Sequence, residues 1–129
     1  MMRDQGSQHR VQQAVSHDAS ATWDDLDPAQ VPNHDNSVVV RRLSKCGFIM
    51  VHNDVPVGGG SPRQWLRLSS STDAQHWIPR LDVQRGVSGE EFSYPAVQEI
   101  GGQLHVSFTR KRQAIGHQVY DISYEEDIK

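Results

Sequence analysis

The sequence predicts an all-β chain made of antiparallel hairpins arranged as blades of a β-propeller, and three observations predict it. Short runs rich in Val, Ile, Phe and Tyr alternate with turn-forming residues. No stretch of helical length carries an apolar period of 3.6 residues. A Ser–Asp–Trp pattern following a strand occurs twice, at residues 14–23 and 68–77. The first two observations fit a sandwich, a barrel or propeller blades equally. The repeat favours the propeller.

In chain order, strands are expected at 9–16, 37–43, 47–53, 63–70, 92–99, 103–110 and 115–122. Two pairs read as tight hairpins. The first turns at residues 44–47, through Ser44-Lys45-Cys46-Gly47. The second turns at Gly101-Gly102, where both positions tolerate positive φ. Residues 56–62, with Gly58-Gly59-Gly60, read as a flexible loop that adds nothing to a core. The expected organisation is a disordered segment at 1–8, a partial propeller at 9–122 and a polar tail at 123–129.

Composition narrows the function classes. The 129 residues carry a formal net charge of -3 and no long basic run, so neither nucleic acid nor an anionic membrane is an expected partner. No apolar stretch approaches the roughly 20 residues that span a bilayer. The N-terminus has no apolar signal core, which leaves a cytoplasmic location as the default expectation. The single cysteine, Cys46, excludes an internal disulfide and lies in an expected turn. The seven histidines show no i, i+4 pair and no cysteine partner, so no metal site and no cofactor is expected from spacing.

The repeated segment resembles the Asp box of bacterial neuraminidase repeats, S-x-D-x-G-x-T-W. In such a turn the Asp accepts backbone N–H bonds, the Gly position takes φ > 0, and the Trp packs beneath. The first copy keeps Ser16, Asp18 and Trp23, with Ser20 at the Gly position. Aligned on Trp77, the second copy places Thr72 at the Asp position and Asp73 one residue later. A longer segment, Glu90-Glu91-Phe92-Ser93-Tyr94-Pro95-Ala96 followed by Leu104-His105-Val106-Ser107-Phe108-Thr109, is similar to G-E-F-S-Y-P-A and L-H-V-T-Y-T of the bacterial sialidase-like family. Pro32-Asn33-His34-Asp35-Asn36-Ser37, Met50-Val51-His52-Asn53 and Arg63 with Leu66 and Leu68 continue that resemblance in order.

The resemblance implies two to three antiparallel blades of a six-bladed sialidase-like propeller, acting on a terminal acidic sugar such as sialic acid. It places Tyr94 at the catalytic nucleophile, because sialidases use tyrosine against a substrate that is itself a carboxylate. It places Arg63, Arg112 and Asn36 at substrate-binding positions, and a guanidinium suits a carboxylate because it forms two parallel hydrogen bonds. The family's Asn-Glu pair, whose carboxylate activates the tyrosine, is Asn36-Ser37 here. Glu91, three residues before Tyr94, faces the opposite side of a regular strand and substitutes only across a bulge. The family's T-W-R-R-x-R-I-K-H has become Thr109-Arg110-Lys111-Arg112-Gln113-Ala114-Ile115-Gly116-His117. A truncated, catalytically incomplete hydrolase relative is therefore expected, with a non-enzymatic carbohydrate-binding or interaction module as the alternative. Exposed blade edges add the expectation of self-association.

Overall fold

The computed structural model describes residues 10–11, 13–25, 37–45, 47–54, 63–87 and 89–122. The described residues form nine strands: β1 (Ala14–Val15), β2 (Asp24–Asp25), β3 (Val39–Arg42), β4 (Phe48–Asn53), β5 (Trp65–Ser71), β6 (Ile78–Arg85), β7 (Phe92–Ile100), β8 (Gln103–Arg110) and β9 (Ala114–Asp121). They pair in chain order into antiparallel sheets of two, four and three strands: β1-β2, β3-β4-β5-β6 and β7-β8-β9. The fold is all-β, and these sheets are consecutive meanders of the kind that make propeller blades.

Both expected hairpins form. Leu43 N–H donates to the Gly47 carbonyl at 2.9 Å, closing the β3–β4 turn. Gly101 and Gly102 join β7 to β8 with φ of 56° and 79°. Two strands were not expected. Residues 24–25 of β2 are both aspartates, with no apolar signal to read. In β6, Pro79 and three charged residues, Arg80, Asp82 and Arg85, hide the pattern. This is the edge strand of its sheet, where a missing N–H and outward charges are tolerated.

The four- and three-stranded sheets pack against one another. One face of β4, β5 and β6 presents Ile49, Val51, Leu66, Leu68 and Val83 to Phe92, Val97, Leu104, Val106 and Phe108 of β7 and β8. On the reverse face of the four-stranded sheet, Met50 packs with Val11 and Trp77. Strand alternation explains the division, since neighbouring Met50 and Val51 point to opposite sides. Gly116 lets β9 lie over the Phe108 ring, because a Cβ there would stand 2.4 Å from ring carbons. Residues 1–9, 26–36, 55–62 and 123–129 and the single positions 12, 46 and 88 lie outside the described residues, and with them Asn36, the loop of three glycines and Cys46.

Candidate functional site

Each blade has two chemically different ends, and the Asp turns define one of them. In the first turn, Asp18 accepts from Thr22 N–H at 2.8 Å and from the Thr22 hydroxyl, while Ser20 N–H donates to Ser16 Oγ at 2.9 Å. In the second, Asp73 accepts from Gln75 N–H and His76 N–H, both at 2.9 Å, and lies 2.7 Å from His76 Nδ1. Ser71 Oγ accepts from Ala74 N–H at 2.9 Å. Ser71, Asp73 and His76 therefore do what Ser16, Asp18 and Thr22 do. Alignment on tryptophan hides this equivalence: the second turn is one residue shorter, and its Asp is Asp73, not the Thr72 position. These donors hold the Asp18 carboxyl, through Thr22 above all, below the usual carboxylate range. Asp73 is held lower still, first by the His76 N–H.

The turns differ in their tryptophans. Trp77 packs in the core at 9% exposure, whereas Trp23 is 59% exposed. The expectation that tryptophan packs beneath the turn thus holds for the second copy and fails for the first. Ser20 does take the positive φ of the Gly position, at 72°, and Ala74 takes 61° in the shorter turn.

At the end of the four- and three-stranded sheets opposite the Asp73 turn lie Arg63, Tyr94 and Arg112. Arg63 precedes β5, and its carbonyl accepts from Phe92 N–H at 2.8 Å, which ties it to the start of β7. Its guanidinium carbon lies 5.1 Å from the centre of the Tyr94 ring, a cation–π contact. Tyr94 is 53% exposed and has φ of 51°. The β7–β8 register shifts between Ser93 and Ala96, so Tyr94 sits in a bulge that turns its ring outward. Positive φ at a non-glycine residue costs on the order of 1–3 kcal/mol and is held only by its surroundings.

Arg112 occupies the β8–β9 turn at the same end, with φ of 58°. Its guanidinium pairs with Glu91, while neighbouring Lys111 pairs with Glu90 at 2.7 Å. Lys111, followed by the Val87 N–H, draws the Glu90 carboxyl below its ordinary range. The bulge that would let Glu91 serve Tyr94 exists, yet the Glu91 carboxylate is engaged by Arg112. Asn53, at the end of β4, was not singled out by sequence as more than a strand end. It is fully buried, and its amide donates to the Phe92 carbonyl at 2.7 Å and to the Trp65 carbonyl at 3.3 Å. It fixes the strand that carries Tyr94. A buried Asn at a strand end is the signal that could have found it, since such a residue requires partners.

A cavity among the described residues lies elsewhere. About 860 Å³ opens between Arg41 and Arg42 of β3 and the face of β7, β8 and β9 that bears His105 and His117. Tyr94 and Arg63 do not line it. Among the described residues, no three His, Cys, Asp or Glu side chains converge as a metal centre, and no helix is long and apolar enough to cross a membrane.

Stacked antiparallel meanders closed by Ser–Asp turns define a propeller segment of the Asp-turn type. The chain belongs to the BNR repeat-like domain family, which matches residues 1–106. Neither a curated protein nor a solved structure matches it.

Proposed function

We propose that the Tyr94–Arg63 end of the blades recognises a terminal acidic sugar such as sialic acid, in the manner of a sialidase-like glycoside hydrolase. The observation that carries this reading is the pairing of an exposed, bulge-held Tyr94 with Arg63 at 5.1 Å, at the end of β5 opposite the Asp73 turn. The guanidinium would bind the sugar carboxylate and the phenol would stand against the ring carbon. Arg112 would add a second cation. Membership of a BNR repeat-like family supports a carbohydrate ligand over other classes.

One observation favours binding without turnover. Glu90 and Glu91 are engaged by Lys111 and Arg112, and Ser37 replaces the family's carboxylate. A phenol needs a base to become a nucleophile. The chain alone therefore binds the sugar and does not hydrolyse it. Ligand-observed NMR with N-acetylneuraminic acid, alongside a fluorogenic sialoside assay, tests both halves. Arg63→Ala is expected to weaken binding roughly 10–100-fold, the loss of a charged hydrogen-bond pair. Binding unchanged in Arg63→Ala overturns the site. Turnover abolished by Tyr94→Phe overturns the binding-only reading.

Self-association belongs to the same proposal. Among the described residues β9 pairs with β8 on one side only, and Ile115 on it is 76% exposed. An eight-residue edge without proline invites a second copy. Light scattering should show an oligomer that Val119→Lys dissociates; a parent chain that stays monomeric refutes it.

A further inference from the structure

Histidines 105 and 117 are twelve residues apart, a spacing that means nothing on a helix. The hairpin makes them neighbours. In the β8–β9 register His117 lies opposite Ser107 and His105 opposite Val119, so the two are diagonal on one face. His105 Nδ1 and His117 Nε2 are 3.2 Å apart, and the ring centres are 5.3 Å apart. We propose that these two nitrogens form a chelating site for a borderline divalent transition-metal ion, with Zn²⁺ as its type.

The separation is the argument. Two nitrogens each about 2.05 Å from one metal stand roughly 2.9 Å apart at a right angle and about 3.3 Å apart at the tetrahedral angle. The pair thus already holds the bite that a metal demands, and small rotations about the broad terminal torsion bring both lone pairs to a common point. In the empty state one ring donates a hydrogen bond to the other. On binding, each neutral ring carries its proton on the far nitrogen, Nε2 of His105 and Nδ1 of His117, and both near nitrogens become ligands. Imidazole is a preferred ligand for Zn²⁺.

The surroundings leave room for the remaining coordination positions. Both rings line the cavity of about 860 Å³, whose lining also includes Ser107 and Gln98 and which water can enter. The charged groups on the same cavity are Arg41 and Arg42 from β3 and Glu99 from β7. Arg41 is tied to the Val97 carbonyl at 3.2 Å and Glu99 to Ser44 N–H at 2.8 Å. The site is separate from Tyr94 and does not depend on the sugar-binding reading.

Calorimetric titration with ZnCl₂ at pH 7.5, in a Cys46→Ser background that removes the thiol, tests the proposal. One equivalent should bind. His105→Ala and His117→Ala should each weaken binding on the order of a hundredfold, because the second imidazole acts as an intramolecular ligand. His17→Ala and His76→Ala should leave it unchanged. On the parent chain, lowering the pH to 5.5 should weaken binding at least about tenfold, because protons compete with the metal for imidazole nitrogen. Imidazole NMR on the parent adds a reading free of any folding defect: the resonances of His105 and His117 should be the pair that move first. Absence of saturable binding, binding untouched by either substitution, or first movement of other histidines overturns the proposal.

Discussion

Replacing Asn53 separates a hydrogen-bonding role from a packing role at the join between two blades. Phe92 turns its N–H and C=O away from β8, and the N–H meets Arg63 O while the carbonyl meets Asn53 Nδ2 at 2.7 Å. Asn53→Ala strips that carbonyl of its donor in a dry interior, which costs about 1–3 kcal/mol. The Trp65 carbonyl suffers little, because Asp54 N–H still reaches it at 3.1 Å. Removing Asn53 Oδ1, which is buried without a partner, offsets part of the loss. The net is about 1–2 kcal/mol, or a fall in Tm of roughly 5–15 °C. Asn53→Asp is harsher, since a carboxylate replaces the donor. Burial raises its pKa in the folded state above the unfolded value, so the folded chain binds the proton more tightly. The damage is then greatest at high pH, up to about 4 kcal/mol at pH 7, and shrinks as the pH falls toward 4 and the acid O–H can donate. Urea unfolding followed by circular dichroism at pH 4, 5.5 and 7 measures both. Asn53→Ala within about 0.5 kcal/mol of the parent, or Asn53→Asp without pH dependence, would refute the reasoning.

The two tryptophans of the Asp turns should behave oppositely: Trp77→Ala is expected to cost about 3–5 kcal/mol and exposed Trp23→Ala less than about 0.5, read by the same unfolding curves. Gly116→Ala drives a methyl into the Phe108 ring and should cost about 1–3 kcal/mol; Phe108→Leu in the same chain should recover part of it, and strict additivity would deny the contact. Burial, followed by the Arg67 charge, pushes the His52 imidazole down to about 3 from 6.5. The unfolded chain therefore binds the extra proton between those values, so stability should fall as the pH drops from 6.5 toward 3, by up to about 1.4 kcal/mol per unit. His52→Met should flatten that slope, and an unchanged slope would locate the titration elsewhere.

The strand that sequence revealed most clearly is one with a single buried face. In β8, Leu104, Val106 and Phe108 alternate with His105, Ser107 and Thr109, and the period is plain. β6 and β2 offer no such contrast: Pro79 and the charges of β6 and the paired aspartates of β2 leave no alternation to read, whereas the edge strands β3, β7 and β9 carry enough Val, Ile, Phe and Tyr to be found. The resemblance located the residues of the Tyr94 end, but their setting depends on pairings between distant segments. The 5.1 Å approach of Arg63, the hold of Arg112 on Glu91 and the hydrogen bond of Asn53 to Phe92 all join residues more than twenty positions apart. The His105–His117 contact escaped notice for a related reason. Its spacing is that of a hairpin, and it emerges only when the β8–β9 register is known.

The one-residue difference between the Asp turns bears on how repeats of this kind are counted. Asp18 reaches its tryptophan in five residues and Asp73 in four, while the Ser-x-Asp step is identical. His76 replaces the threonine without loss of either contact to the carboxylate. A search pattern with fixed length and an obligatory threonine would register one blade here instead of two. Anchoring the pattern on Ser-x-Asp, and letting the closing arm vary in length and in its last donor, would recover diverged blades that current spacing rules pass over.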